Sequence, residues 1–499
     1  MRKILFKIIS CFIACLWAIV SVGHAQSDIT LAGRFLKELP KGTKLHLIVL
    51  DEYALPNWYA FSTSYKSEIS TDGTFQLSFQ PKSSKLFVSF KLEGPHQEYN
   101  YLNSLDNNFT LYLMQAGDSL QMDVADDNIN FYGRGEDRMN CQQAIYANQI
   151  FPRNSILSLL RQKERENSSD YIKSLIELIE RNLQTKLAIL DLYKNDLTDS
   201  VFQIIKYNTI GGAYSTICSQ LWLNKGKAGF DFPVFRQEYL NWLSHLSKDD
   251  NDLAAYAPLY IKYLFERERS RAAYTKYPDK IAPDFEFTDI LQAITSRIAN
   301  KQREALLTAT AINLAEQKAG VQDSAASIYK MLKDPSIKYL FERWQLKTGN
   351  NVPAYAFSLP DTSGQIHRLE DFKGKMILID LWFNGCFGCK YMNKEMRKII
   401  DHFKSKKTKN IVFISLSVDK TRKAWINGLK TKEYSQPEQL KLSTYGTSWY
   451  ESPFYKHYNF KGAPQLLLID KKGNVISSGP PDPRLDGGKA LIELMEKNL

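Results

Sequence analysis

One stretch limits the folds open to this chain more than any other: Met376-Ile-Leu-Ile-Asp-Leu-Trp-Phe-Asn-Gly-Cys-Phe-Gly-Cys-Lys390. From Met376 to Phe383 it is apolar apart from Asp380, which suits a strand buried on both faces of a sheet. Asn384-Gly385 ends the run. Cys386-Phe387-Gly388-Cys389 follows, and then a helical pattern from Lys390 to Phe403 places Tyr391, Met396, Ile399, Ile400 and Phe403 on a shared face. A Cys-x-x-Cys at a helix start, directly after a buried strand, is a redox site with a physical rationale. Free N–H groups and the helix dipole stabilise a thiolate there.

At 499 residues the chain is too long for one ordinary core, so two to four domains are expected. Its net charge of +11 is uneven. Between Val352 and Leu499 there are 24 Lys+Arg against 15 Asp+Glu. Such a basic redox domain either favours acidic partners or an anionic membrane surface, or is simply soluble. No nucleic-acid-binding motif accompanies the charge. Arg2, Lys3 and Lys7 precede an apolar run from Ile8 to Val22, and Gly23-His24-Ala25 offers small residues where a signal peptidase reads. Residues 1–25 are therefore expected to be a cleaved secretory signal, with Gln26 as the new N-terminus. The rival reading is an uncleaved membrane anchor. Cys11 and Cys15 lie inside this segment, so lipid anchoring is not supported. The four remaining cysteines, Cys141, Cys218, Cys386 and Cys389, are too few for a disulfide framework.

Residues 26–135 read as a small antiparallel β-sandwich or barrel. Short apolar or alternating runs such as Lys44–Leu50, Thr74–Phe79, Lys85–Lys91 and Ser119–Val124 are separated by turn signals such as Asp72-Gly73 and Gly117-Asp118. Tyr53, Tyr99 and Tyr101 could line a binding surface or be cross-strand core pairs. Residues 136–348 turn to three- and four-residue apolar spacing, punctuated by prolines, and predict an all-α domain. Cys141 and Cys218 fall here and could pair, or stay as lone buried thiols. From 349 to 499 strands and helices alternate, with a buried strand at Ile411–Val418, a helix at Thr421–Lys430 carrying Trp425, and a polar connection over 431–452.

This last region resembles the thioredoxin superfamily, and within it the envelope thiol–disulfide proteins of the TlpA/ResA type. Asp380 lies six residues before Cys386, where thioredoxins carry a buried acid, and Trp382 lies four before it, where they carry an aromatic. Gly462-Ala-Pro-Gln-Leu-Leu-Leu-Ile-Asp-Lys-Lys-Gly473 resembles the cis-proline loop, strand and hairpin turn. Pro353–Gly364 and Leu369–Lys375 resemble the lead-in. Asp72-Gly-Thr-Phe75, Ala116-Gly-Asp118 and Ile129–Gly133 resemble a β domain found at the N-terminus of envelope TlpA-like proteins. The resemblance implies an α/β thioredoxin-like fold for 349–499, with no cofactor and no metal.

Cys386, nearer the helix start, is expected to be the nucleophile, and Cys389, one turn on, to resolve the mixed disulfide. Asp380 is the matching proton acceptor for Cys389, its pKa raised by burial; the plainer reading is a structural acid satisfied by nearby donors. Trp382, Phe387, Gly388, Ala463 and Pro464 are the candidate substrate-binding residues, with Pro464 cis by family implication. Four positions depart from the pattern. Gly385 replaces the usual tryptophan, Phe387-Gly388 replaces dipeptides that usually end in proline, and Met392 stands where some ResA-like proteins carry an acid. Lys390 and Lys394 could lower the Cys386 pKa or simply be solvated.

Three rivals stand beside this reading. A zinc site would need more ligands than His367 and His402 offer. A peroxiredoxin would need a Pro-x-x-x-Thr-x-x-Cys context, which is absent. A non-enzymatic, redox-responsive adaptor of the envelope would use the β and α regions to bind a partner. The reading adopted is a periplasmic thiol–disulfide oxidoreductase that reduces disulfide-containing envelope proteins. Apocytochrome c and oxidised envelope proteins are candidate substrates, and a membrane thiol the candidate electron donor.

Overall fold

The computed structural model describes residues 28–50, 62–94, 99–101, 110–125, 128–148, 168–223, 231–246, 251–276, 285–314, 321–348, 352–447, 452–458, 460 and 462–499. Residues 1–25, expected above to be a secretory signal, and Tyr53 lie outside them. Among the described residues no helix is long and apolar enough to cross a membrane.

Among the described residues nine strands come first: β1 Ile29–Phe35, β2 Lys44–Leu50, β3 Ser62–Glu68, β4 Thr74–Phe79, β5 Lys85–Glu93, β6 Tyr99–Tyr101, β7 Tyr112–Gln115, β8 Ser119–Ala125 and β9 Asn128–Arg134. They form one sheet in the order β4-β1-β8-β9 and another in the order β3-β2-β5-β6, with β7 also on β5. The expectation of a purely antiparallel region needs correcting, because β1 runs parallel to β8. Strands far apart in sequence can pair either way, and alternation alone does not choose. The period-2 pattern turns Leu45, Leu47 and Val49 of β2 and Leu120, Met122 and Val124 of β8 into one shared core.

Strands give way to helices between Arg134 and Glu136: α1 Glu136–Ala147, α2 Ser168–Leu192, α3 Asp199–Leu223, α4 Phe232–His245, α5 Pro258–Lys276, α6 Phe287–Arg297, α7 Asn300–Leu314, α8 Val321–Met331 and α9 Pro335–Thr348. The core does not divide at that point. β5 is buried on both sides: Leu86, Val88 and Phe90 face the sandwich interior, while Phe87 joins Leu50, Leu111 and Leu113 against Cys141, Ile145, Leu190, Val201, Ile204 and Ile205 of the helices. The Leu113 backbone of β7 is satisfied from α1. Gln142 Oε1 accepts its N–H at 2.7 Å, and Arg138 Nε donates to its carbonyl at 3.0 Å. Cys141 and Cys218 are free thiols in two different cores, so they do not pair. In α5, Glu268 is buried and held by Arg267 at 2.7 Å and Arg271 at 3.1 Å.

The C-terminal region contains β10 Ser358–Pro360, β11 Ile366–Arg368, β12 Met376–Trp382, α10 Phe387–Ser405, β13 Ile411–Ser417, α11 Arg422–Thr431, β14 Leu440–Ser443, α12 Pro453–Tyr458, β15 Gln465–Ile469, β16 Val475–Ser477, α13 Pro483–Asp486 and α14 Lys489–Lys497. Its sheet has the order β14-β13-β12-β15-β16. β12, β13 and β14 are parallel, and β15 returns antiparallel beside β12. β14 lies in the connection read as merely polar. It is a four-residue edge strand, too short to register as a period. Even-numbered residues of β12, Met376 and Leu378, pack with Met392, Met396 and Phe403 of α10 and with Leu491 and Met495 of α14. Odd-numbered Ile377, Ile379 and Leu381 pack on the other face with Phe454 and Tyr458 of α12. Asp380 therefore points to the α10 side, between Leu378 and Trp382.

Candidate active site

The site is built where β12 hands over to α10. Gly385 has φ +95°, a left-handed conformation that a side chain disfavours, and this turns the chain at the strand end. Two side chains clamp the turn. Asp419, just past β13, accepts the Asn384 N–H at 3.1 Å, and the Tyr434 hydroxyl accepts the Gly385 N–H at 3.0 Å. Ser417 donates to Asp419 at 2.8 Å, and burial pushes the Asp419 carboxyl up.

Cys386 is the N-cap of α10, and its Sγ accepts the Cys389 N–H at 3.1 Å. The two cysteines are joined as a disulfide. Cys386 is 5% exposed and Cys389 only 1%, so an incoming partner reaches Cys386 first. The Ala463–Pro464 peptide is cis, and the Ala463 carbonyl oxygen lies 3.6 Å from Cys386 Sγ. A disulfide sulfur has no hydrogen, so this is a contact and not a hydrogen bond. Gly388 lies beside Pro464, where a Cβ would stand 3.2 Å from the proline Cδ. Phe387 is 71% exposed and meets Tyr391 edge-on at 4.9 Å, which gives an aromatic surface beside Cys386.

Asp380 is buried, and its Oδ1 has no hydrogen-bond partner. That speaks against the plainer reading of an acid satisfied by neighbouring donors. Burial raises its carboxyl to about 8, opposed by the charge of Arg484. Trp382 is corrected from substrate contact to support, because it is fully buried. Its Nε1 donates to Ser415 Oγ at 2.7 Å, and its ring stacks on Tyr434 at 4.9 Å and 1°. It also lies on Gly428, where an added Cβ would come within 2.6 Å of the indole. Gly428→Ala is expected to cost about 1–3 kcal/mol, read as a lower urea midpoint at unchanged slope.

The two lysines are committed elsewhere. Lys390 pairs with Glu433 at 2.7 Å, and Lys394 sits over the Tyr391 ring at 5.3 Å. The zinc candidates are apart: His367 lies 3.2 Å from Asp361 and His402 2.9 Å from Glu496. Tyr434, Asp419, Gly428 and Arg484 are site residues that motif spacing misses. Only Asp419 had a signal, as the acid that ends the second buried strand.

Residues 349–478 match the model of the AhpC/TSA family. The residue context before Cys386 lacks the peroxiredoxin pattern, and the matched curated proteins are of another kind. The thiol-disulfide oxidoreductase ResA of Bacillus thuringiensis is 28% identical over 138 residues, covering 28% of this chain and 72% of that protein. ResA of Bacillus cereus matches to the same extent. This region is a TlpA/ResA-like thioredoxin domain. Its chemistry is that of the thioredoxin-like thiol–disulfide oxidoreductases. Among solved structures, a putative thiol-disulfide oxidoreductase from Bacteroides vulgatus is 27% identical, with 31% of this chain and 99% of that chain covered and a TM-score of 0.26. Another from the same organism is 33% identical, with 28% and 84% covered and a TM-score of 0.23.

Proposed function

We propose that this protein is an envelope thiol–disulfide oxidoreductase working in the reducing direction. The Cys386 thiolate attacks a partner disulfide, one partner sulfur leaves as a thiolate, and a mixed disulfide forms. Cys389 then passes its proton to Asp380 and attacks Cys386 Sγ. The partner leaves with both of its sulfurs reduced, and the Cys386–Cys389 disulfide holds the two electrons' worth of oxidation. A membrane thiol donor would restore the dithiol. Trp382 holds the turn, while Ala463, Pro464, Gly388 and Phe387 border the place where a partner strand would lie.

The observation that carries this is Cys386 capping α10 above a more buried Cys389, with the buried Asp380, whose Oδ1 has no hydrogen-bond partner, on the same side of β12. The reducing direction rests on the likeness of this region to the ResA proteins. Export rests on the basic and apolar leader over 1–25. The strands over 26–135 and the helices over 136–348 are read as partner-facing scaffolding.

Equilibration of the mature chain with glutathione or dithiothreitol buffers tests the direction. A potential near about −270 mV is expected for a reductant, and a value near about −120 mV would make the protein an oxidant instead. A pair with no reversible two-electron exchange would move the adaptor reading to first place.

A further inference from the structure

Arg484 belongs to none of the motifs that mark the site, yet it reaches the centre of it. It lies in α13, the short turn before α14, which packs on α10. Asp482, the N-cap of that turn, holds the guanidinium in a fork. Its Oδ1 and Oδ2 each lie 3.0 Å from Arg484 Nε, and Oδ2 also accepts from Nη2 at 2.5 Å. This fixes the plane of the group and leaves Nη1 pointing elsewhere. Nη1 points at the redox motif: a Cβ on Gly388 would stand 3.2 Å from it and 3.2 Å from Pro464 Cδ. The departure from the usual proline at position 388 thus has a local physical correlate. A side chain or ring there would crowd both the guanidinium and the cis-proline.

On the α10 side of β12 lies the buried Asp380, whose Oδ1 has no hydrogen-bond partner. The neighbouring strands place Ser415 and Leu466 opposite it, and neither is charged. From α10 the nearby charges are Lys390, paired with Glu433, and Glu395, paired with Lys398 at 2.7 Å. From α13 they are Asp482, bound to Arg484, and Asp486, which accepts the Gly488 and Ala490 N–H groups. α14 turns Leu491 and Met495 inward. Arg484 is the charged group that acts on Asp380, and the attraction is mutual.

We propose that Arg484 is a positioning residue of this site. Clamped by Asp482 and seated over Gly388, it supplies the countercharge that keeps the buried Asp380 carboxylate available to take the proton of Cys389. The inference rests on the proposed role of Asp380 as that acceptor. An ionised carboxylate in an apolar wall is costly without a partner. Arg484 offsets part of that cost, and at 34% side-chain exposure it keeps contact with solvent.

The test uses the full mature chain. The protonated Asp380 carbonyl band is followed by difference infrared spectroscopy through a pH titration of the oxidised protein, with Asp380→Asn to identify the band. Arg484→Met is expected to move the midpoint upward by about half a unit to one unit, and Arg484→Lys to return most of the shift. Gly388→Ala is expected to move it the same way by less. In the release of a mixed disulfide, measured in single turnover, Arg484→Met should lower the rate about threefold or more at pH 7 and converge with the parent at high pH. In the Asp380→Asn background it should do nothing further to the pH profile. An unmoved infrared midpoint in Arg484→Met overturns the proposal. A release profile that Asp380→Asn leaves unchanged overturns the acceptor role itself, which is a separate failure.

Discussion

Cys389→Ser is expected to arrest the protein on its partner. The thiolate of Cys386 still forms at the α10 N-terminus, where the residue 389 N–H points at its sulfur, so attack on a disulfide proceeds. No second thiol remains to release the adduct, and turnover should fall about 10³-fold or more. Mixing the variant with a disulfide-bonded peptide should give one covalent adduct that is stable on a non-reducing gel and mapped by mass to Cys386. Cys386→Ser should give no such adduct, because Cys389 is almost wholly buried. Equal trapping by the two variants would reverse the assigned roles.

The second large effect is expected at Asp380, and it has two signs. Burial holds its carboxyl at about 8 instead of the ordinary 3.8. Between those values the folded chain keeps a proton that the unfolded chain releases. The Asp380 contribution to stability is therefore fully present below pH 4, declines as pH rises, and is lost above about pH 8. At pH 7 the difference is about 4 kcal/mol. Asp380→Asn removes that penalty. It should unfold at higher denaturant than the parent at pH 7–8, with the gap closing toward pH 4. The same variant should release partner about 100-fold more slowly at pH 8, the scale of a lost proton acceptor. A variant no more stable at pH 8 than at pH 4, relative to the parent, would mean that Asp380 is not held protonated by its surroundings.

The parts of this site that could be read from sequence are those set by neighbours along the chain. A buried strand, a glycine turn and a cysteine pair at a helix start are local, and β12 with α10 follows from them. Asp380 was legible because one acid in an apolar run must face something. What was not legible comes from connections that carry no period. Tyr434 lies between α11 and β14 and reaches Gly385 only because the chain folds back over Trp382. Arg484 lies in a four-residue turn, and its meaning depends on a missing Cβ about a hundred positions earlier. The supporting role of Trp382 is hidden in the sequence for a related reason. An aromatic near a redox motif fits a binding surface or a prop equally well, and its full burial against Gly428 and Tyr434 decides. In the first third of the chain alternation gives strands, but the parallel partnership of β1 with β8 depends on tertiary packing that alternation does not encode.

The double burial of β5 has a consequence for inheritance. Composition changes sharply near residue 135, which makes that point look like a seam where modules could be exchanged. Severing the chain there would expose Leu50, Phe87, Leu111 and Leu113 as an oily plate on one fragment, and Cys141, Ile145, Ile204 and Ile205 on the other. Each plate would need a new partner of matching shape. The sandwich and the first helices are thus bound to travel through recombination as one heritable piece.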